Sequence, residues 1–130
     1  MEVRIYYEDT DSGGIVYHAN YLKYLERART EFLRQRGISV KELHDKGVIF
    51  PVTRVEVDFK APAVHDDNIK VETKVLKLGR ATFSVAQQII RVSDRKLLVA
   101  ATVTLASVGH DIRPKRLPED IVAVLKQDLP

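Results

Sequence analysis

The stretch NYLKYLERARTEFLRQRG, residues 20–37, decides the fold. Its apolar residues Tyr21, Leu25, Ala28 and Phe32 recur at helical spacing, and Leu22 and Leu33 widen the stripe. Gly37 provides the stop that glycine gives just past a helix C-terminus. Asn20 or His18 is placed to cap the start. One long helix from about Asn20 to Arg36 is therefore expected, with an apolar face that needs covering. Its charges suggest surface pairs, Glu26 with Arg29 or Arg27 with Glu31. Just downstream, Ser39 and Glu42 have capping-box spacing, predicting a second short helix that ends near Gly47.

Beyond Pro51 the apolar period changes from that of a helix to that of a strand. Val55, Val57 and Phe59 alternate with Arg54, Glu56 and Asp58, the pattern of a half-buried strand. The segment Ala61 to Asn68 is rich in Pro and Asp and reads as a turn. Ile69, Val71, Thr73 and Val75 form the next alternating run. Gly79-Arg80 marks a turn, Ala81 to Val92 a further strand, and Ser93-Asp94-Arg95 another turn. Leu97 to Val108 is almost continuously apolar and reads as a central strand covered on both faces. Val3 to Tyr7 is a short β-prone block, Glu8 to Gly14 a polar loop, and Asp120 to Lys126 a terminal helix. Consecutive strands joined by short turns pair antiparallel. The economical arrangement is an α+β domain: an antiparallel sheet of about five strands wrapped around one long central helix.

Composition bounds the function. At 130 residues, the length suits one domain spanning 1–130. Absence of cysteine excludes disulfides, thiolate metal sites and cysteine nucleophiles. The chain is 45% apolar and 30% charged, a globular balance. No apolar run approaches 18 residues, so no integral membrane contact is expected. The N-terminal MEVRIYYEDTD lacks an apolar signal core, which makes the cytoplasm the expected location. A net charge of +3 suits either a nucleic acid or a ligand carrying phosphates, but no aromatic-basic platform supports the nucleic acid.

Chemistry concentrates in Tyr7-Glu8-Asp9-Thr10-Asp11-Ser12-Gly13-Gly14-Ile15-Val16-Tyr17-His18-Ala19-Asn20-Tyr21, just before the long helix. A helix start offers unpaired N–H groups and a positive dipole end, and so stabilises an oxyanion. A carboxylate beside it can attack a carbonyl or deprotonate a water. Gly13 and Gly14 let backbone approach a ligand. On residue types alone, a solvated turn is the commoner reading of Asp-x-Asp before Ser-Gly-Gly, and a cap is the commoner role for His18. Ser12 has no local base partner and no G-x-S-x-G elbow, which argues against Ser–His–Asp hydrolysis. His65, Asp66 and Asp67 are adjacent in one turn and read as turn formers, not metal ligands.

Arg4-Ile5 followed by YYEDTDSGGIVYHANYLKYLERARTEFL, residues 6–33, resembles the signature of the 4-hydroxybenzoyl-CoA thioesterase family. The wording is most similar to the branch of bacterial acyl-CoA thioesterases encoded beside the Tol–Pal envelope genes. Phe59-Lys60-Ala61-Pro62-Ala63-Val64-His65-Asp66-Asp67 and Ile112-Arg113-Pro114-Lys115-Arg116-Leu117-Pro118 resemble two further patches of that branch. The resemblance implies a hotdog fold and hydrolysis of an acyl-coenzyme A thioester to free acid and coenzyme A. No cofactor is implied, since coenzyme A is part of the substrate. It implies Asp11 as the catalytic carboxylate, acting as nucleophile through an acyl-enzyme anhydride or as general base for water. It puts the carbonyl-polarising N–H at His18, whose imidazole is a further contributor. Tyr7, Gly14 and Tyr17 are expected as substrate-binding positions of the loop, with a structural role the alternative for Tyr7 and Asp9; Asp9 is expected to tie the loop through backbone N–H groups. Arg113, Lys115 and Arg116 are expected to meet coenzyme A phosphates, with Arg80 a further contact; a solvated tail is the alternative reading. Some hotdog thioesterases use a helix glutamate, but the motif aspartate makes Glu26 and Glu31 surface residues here. An active site between subunits is implied, hence a homodimer or homotetramer, with acyl carrier protein a possible donor. A hotdog acyl-thioester hydratase or dehydratase, and a non-catalytic acyl-CoA or acyl-carrier binding module, are the alternatives.

Overall fold

In the computed structural model, which describes residues 1–130, the long helix α1 runs from His18 to Arg34. Its buried face is Tyr21, Tyr24, Leu25, Ala28, Phe32 and Leu33, the predicted stripe with Tyr24 added and Leu22 left exposed. Gly37 adopts φ +81°, and the Ile38 N–H reaches back to the Leu33 carbonyl at 3.0 Å, closing the end. The start differs from expectation. Tyr17 is the cap residue and caps with no side-chain bond, and His18 is already the first helical residue. The short helix α2 spans Val40–Asp45, and the Ser39 side chain accepts from the Glu42 N–H at 3.2 Å. The expected surface pairs of Glu26 with Arg29 and Arg27 with Glu31 do not form. Glu31 pairs with Arg34 instead, and Glu26 accepts from the Thr30 hydroxyl. Arg29 lies on the margin of the buried stripe and turns inward to Gln87.

Five strands form one antiparallel sheet: β1 (Glu2–Arg4), β2 (Val52–Phe59), β3 (Asn68–Leu78), β4 (Thr82–Arg91) and β5 (Leu97–Ala106). The spatial order is β1-β3-β4-β5-β2. The tight turns pair β3 with β4 and β4 with β5, as their sequence requires. The rule that consecutive strands pair fails for β2, which lies beside β5, with Val52 opposite Leu105 and Phe59 opposite Val99. The chain from 60 to 67 then crosses to the opposite side of the sheet, where β3 also pairs with β1. β1 is shorter than the block Val3 to Tyr7 suggests. The Asp9 carboxylate accepts from the Tyr6 N–H at 2.8 Å and folds Tyr7–Asp9 into a single 3₁₀ turn.

The inner face of the sheet packs on α1. One core group gathers at the helix start, where Tyr21, Leu25 and Ala28 meet Ile69, Val71, Ile89 and Val99. A second gathers at the helix end, where Phe32 and Leu33 meet Phe83, Val103 and Leu105. The terminal helix α3 (Glu119–Lys126) closes that end with Ile121 and Leu125. The expected cover on both faces of β5 is not present in one chain. Val99, Ala101, Val103 and Leu105 are buried, whereas Ala100, Thr102, Thr104 and Ala106 face out and are half-buried. Alanine on the outer positions makes an alternating strand look continuous in sequence. No helix is long and apolar enough to cross a membrane.

Candidate active site

Asp9 holds the loop before α1 at both ends. Besides its carboxylate bond to Tyr6, its carbonyl accepts from the Tyr17 N–H at 3.0 Å and the Asn20 amide at 2.9 Å. Asn20 is thus a strap to the loop and not a helix cap. Between these anchors the chain turns on itself: the Asp11 N–H donates to the Ile15 carbonyl and the Gly14 N–H to the Asp11 carbonyl. Gly14 sits at φ +80°, a backbone that side chains with a Cβ adopt at a cost. The Gly13 N–H donates to Asp11 Oδ1 at 2.8 Å, which fixes the carboxylate while leaving it exposed. Val16 is buried and its N–H donates to the Ala63 carbonyl, seating the loop on the 60–67 segment.

The helix start beside this loop is uncapped. The N–H groups of His18 and Ala19 make no hydrogen bond within the chain, and the α1 dipole adds positive potential there. Such a pair of donors suits an anion. The His18 ring lies 4.6 Å from the Tyr17 ring and edge-on to Phe59 at 6.3 Å. A groove of about 550 Å³, counting its open mouth, runs along this wall between Ile15, His18, Tyr21, Phe59, Lys60 and Pro62. Its chemistry is apolar with one lysine at the rim. Tyr21 is fixed because its hydroxyl accepts from the Ala63 N–H at 3.0 Å, and burial raises its pKa. Behind it, the Tyr24 hydroxyl makes no hydrogen bond, and its pKa is pushed up by burial and then by the Asp9 carboxylate. Residue types did not single out Tyr21, Phe59 or Lys60 as groove residues. The available signal was the Phe59–Asp67 patch, whose first residues form the wall.

Arg91 fastens that wall from below. Its guanidinium donates to Asp67 at 3.0 Å, to Asp94 at 3.0 Å and to the Pro62 carbonyl at 2.8 Å. The Asp67 carboxylate, with Asp94 after it, raises the Arg91 pKa. Asp67 also accepts from the Val64 N–H, and Asp66 takes φ +71°, so both shape the turn. The His65 ring faces the exposed Tyr7 ring at 6.1 Å.

The expected site residues fall into two groups. Tyr7, Asp11, Gly14, Tyr17 and His18 share the loop and helix start, of which His18 lies beside Phe59 and hence at the Val99 end of β5. Arg80, Arg113, Lys115 and Arg116 lie at the Ala106 end. The Lys115 N–H bonds to the Ser107 carbonyl, and the Leu117 N–H bonds to the Arg80 carbonyl. At about 3.3 Å per residue the two groups are roughly 20 Å apart along the sheet. Within one chain they do not converge.

Known proteins share this architecture. Residues 6–125 match the thioesterase-like superfamily. The chain is similar to the acyl-CoA thioester hydrolase YbgC of Escherichia coli O6:H1, 38% identical over 125 residues, covering 96% of this chain and 93% of that protein. It is also similar to the acyl-CoA thioesterase YbgC of Haemophilus influenzae, 39% identical over 123 residues, covering 93% and 89%. Among solved structures, the DHNA-CoA thioesterase of Staphylococcus aureus superposes with a TM-score of 0.92 at 27% identity, over 98% of this chain and 87% of that one.

Proposed function

The chain belongs to the thioesterase-like superfamily and is an acyl-CoA thioesterase of the hotdog fold; we propose that Asp11 is its catalytic carboxylate and the start of α1 its oxyanion site. The observation that carries this is the joint placement of the two. Asp11 is held by the Gly13 N–H on a loop that Asp9 ties to Tyr17 and Asn20, next to the free N–H groups of His18 and Ala19. A thioester carbonyl in the groove directs its oxygen at those donors, which bind the developing oxyanion more tightly than the neutral carbonyl. Asp11 then attacks the carbon, expels the thiolate and leaves an anhydride for water to cleave, or it deprotonates the attacking water. Both routes consume one water and yield acid and thiol. The scheme uses no cofactor, and coenzyme A enters only with the substrate. Phe59 and Tyr21 pack the first carbons of the acyl group, and the His18 ring lines the same wall.

The enzyme self-associates in this reading. The β2 edge is unpaired and exposes Val52, Val55 and Phe59. Antiparallel pairing of two β2 edges about a two-fold axis sets the Ala106 end of one subunit beside the Phe59 end of the other. That closes the 20 Å gap. The basic cluster of one subunit then serves the thioester site of its neighbour, where Arg113, Lys115 and Arg116 meet the coenzyme A phosphates. The half-buried outer face of β5 is the surface on which two such dimers stack into a tetramer. Acyl carrier protein is a second donor to test in place of coenzyme A.

The test is free-thiol release from a panel of short, long and aromatic acyl-CoA thioesters. Asn at position 11 keeps the acceptor that Gly13 requires, so Asp11→Asn retains the loop. A fall in kcat of at least about 10³-fold with substrate binding retained is expected, as for loss of the reacting group. Full activity in that variant removes Asp11 from the chemistry. Binding without thiol release from any thioester in the parent enzyme identifies a binding module.

A further inference from the structure

The turn after β5 carries a residue that the fold of one chain does not reward. Ile112 adopts φ +62°, a backbone region disfavoured for any residue with a Cβ and most of all for a β-branched one. Glycine or asparagine is the natural occupant of such a position. The side chain gains nothing from the core in exchange, because 77% of it is exposed. The turn is nevertheless well built. Val108 and Pro114 form a β-bridge at its base. The Gly109 N–H donates to the Arg113 carbonyl, the Ile112 N–H to the Gly109 carbonyl, and the Arg113 N–H to the Asp111 carboxylate. A hydrogen-bonded turn that holds an aliphatic side chain out in water, in an unfavourable conformation, places that side chain for contact with something outside the chain.

Its neighbours define the chemistry. Arg113, Lys115 and Arg116 follow directly, and Arg80 approaches through the backbone bond to Leu117. Lys115 is anchored to the Gly47 carbonyl at 3.4 Å, and His110 packs edge-on against His44 at 5.3 Å on the same side. The carboxylate of Asp111 is engaged by the Arg113 N–H, and three cationic side chains at 113, 115 and 116 outnumber it here. An apolar knob followed directly in the chain by guanidinium and ammonium groups fits a ligand that is apolar in one part and polyanionic in another. A single isoleucine offers too little apolar surface to anchor a membrane. Coenzyme A supplies both parts in its purine and its phosphates.

We infer that Ile112 is a nucleotide-specificity residue whose side chain packs on the purine of coenzyme A while Arg113, Lys115 and Arg116 take the phosphates. The inference rests on the acyl-CoA reading of the site and adds a contact to it. In the paired-edge arrangement the purine is held by the turn of one subunit while its thioester is cleaved at Asp11 of the other. The position therefore gives up local stability in return for recognition of the nucleotide end.

The variants Ile112→Gly and Ile112→Asn test it, since both suit the left-handed backbone and neither carries the aliphatic group. Both are expected to fold with a melting temperature at or above that of the parent. Their KM for an acyl-CoA rises about five-fold, the loss of one half-buried aliphatic contact. Their KM for the matching acyl-pantetheine thioester, which lacks the nucleotide, stays unchanged, and kcat stays unchanged for both. Affinity for free coenzyme A by calorimetry falls by the same factor. An unchanged coenzyme A affinity overturns the inference, as does an equal KM rise on both substrates. So does a loss of sedimentation with anionic vesicles, or of the dimer, in the absence of a coenzyme A effect; those results assign the side chain to a membrane or to the subunit interface. Failure of the parent to release thiol from either substrate counts against the thioesterase reading alone, because the calorimetric comparison still decides the role of Ile112.

Discussion

Replacing Gln87 by leucine destabilises the protein by about 3 kcal/mol, and the reason is a half-buried arginine. Gln87 lies on the inner face of β4, only 1% exposed, under the middle of α1. Its amide nitrogen donates to the Leu25 carbonyl and to the Thr73 hydroxyl, both at 3.0 Å, and its oxygen accepts from Arg29 at 3.2 Å. Leucine is similar in size, so the packing term is small. The helix carbonyl of Leu25 retains its i+4 bond and the Thr73 hydroxyl can rotate, so these two losses cost about 1 kcal/mol together. Arg29 loses the only hydrogen bond its side chain makes, in a place where burial already lowers its pKa. A desolvated guanidinium left unpaired costs about 2 kcal/mol. Substituting Arg29 as well, by methionine, removes the stranded charge and is expected to recover about half of the loss. Urea unfolding of the parent, Gln87→Leu, Arg29→Met and the double variant measures the cycle at one fixed protein concentration, so that self-association does not enter. A neutral Gln87→Leu variant, or a double variant equal to the sum of the singles, refutes the claim that Arg29 carries the penalty.

Burial raises the pKa of both Tyr21 and Tyr24 above the ordinary value of 10.0, so above about pH 10 the unfolded chain loses protons that the folded chain keeps. Stability therefore falls as pH rises through that window, and Tyr24→Phe should flatten the fall in urea midpoints measured from pH 9 to 11. A parallel slope in that variant excludes Tyr24 as a source. Gly14→Ala places a Cβ where nothing lies within 4 Å, so its whole cost is the φ of +80°. A stability loss of about 1–2 kcal/mol is expected, with a larger fall in kcat than in substrate affinity as the Asp11 loop shifts. Equal melting temperatures by calorimetry would show that the loop relaxes without strain.

Much of this fold was legible in local sequence. The helical spacing of Tyr21, Leu25, Ala28 and Phe32 defined α1 because a stripe three and four residues apart faces one side of one element. The tight turns at Gly79 and Ser93-Asp94-Arg95 defined β3, β4 and β5 because their hydrogen-bond partners are near in sequence. The pairing of β2 was not legible. Its partner β5 lies some 40 residues downstream, and nothing in the alternation of Val55, Val57 and Phe59 distinguishes it from β3. The inward turn of Arg29 was hidden for the same reason, since Gln87 is 58 residues away.

The candidate site divides along the same line. The Tyr7–Tyr21 loop, with Asp11, two glycines and an adjoining helix start, is contiguous, so sequence by itself determined which residues sit together, while the choice of Asp11 over a plain turn reading came from the family resemblance. Tertiary structure alone decided which groove His18 lines and how far the loop stands from the basic cluster. Phe59, Lys60 and Pro62 reach His18 because β2 lies beside β5, and Arg113, Lys115 and Arg116 stand at the far end because β5 runs away from the helix start. Spacing along a chain records contacts within a turn or a helix. Distances between elements depend on strand order, which is set by how the whole sheet buries its inner face.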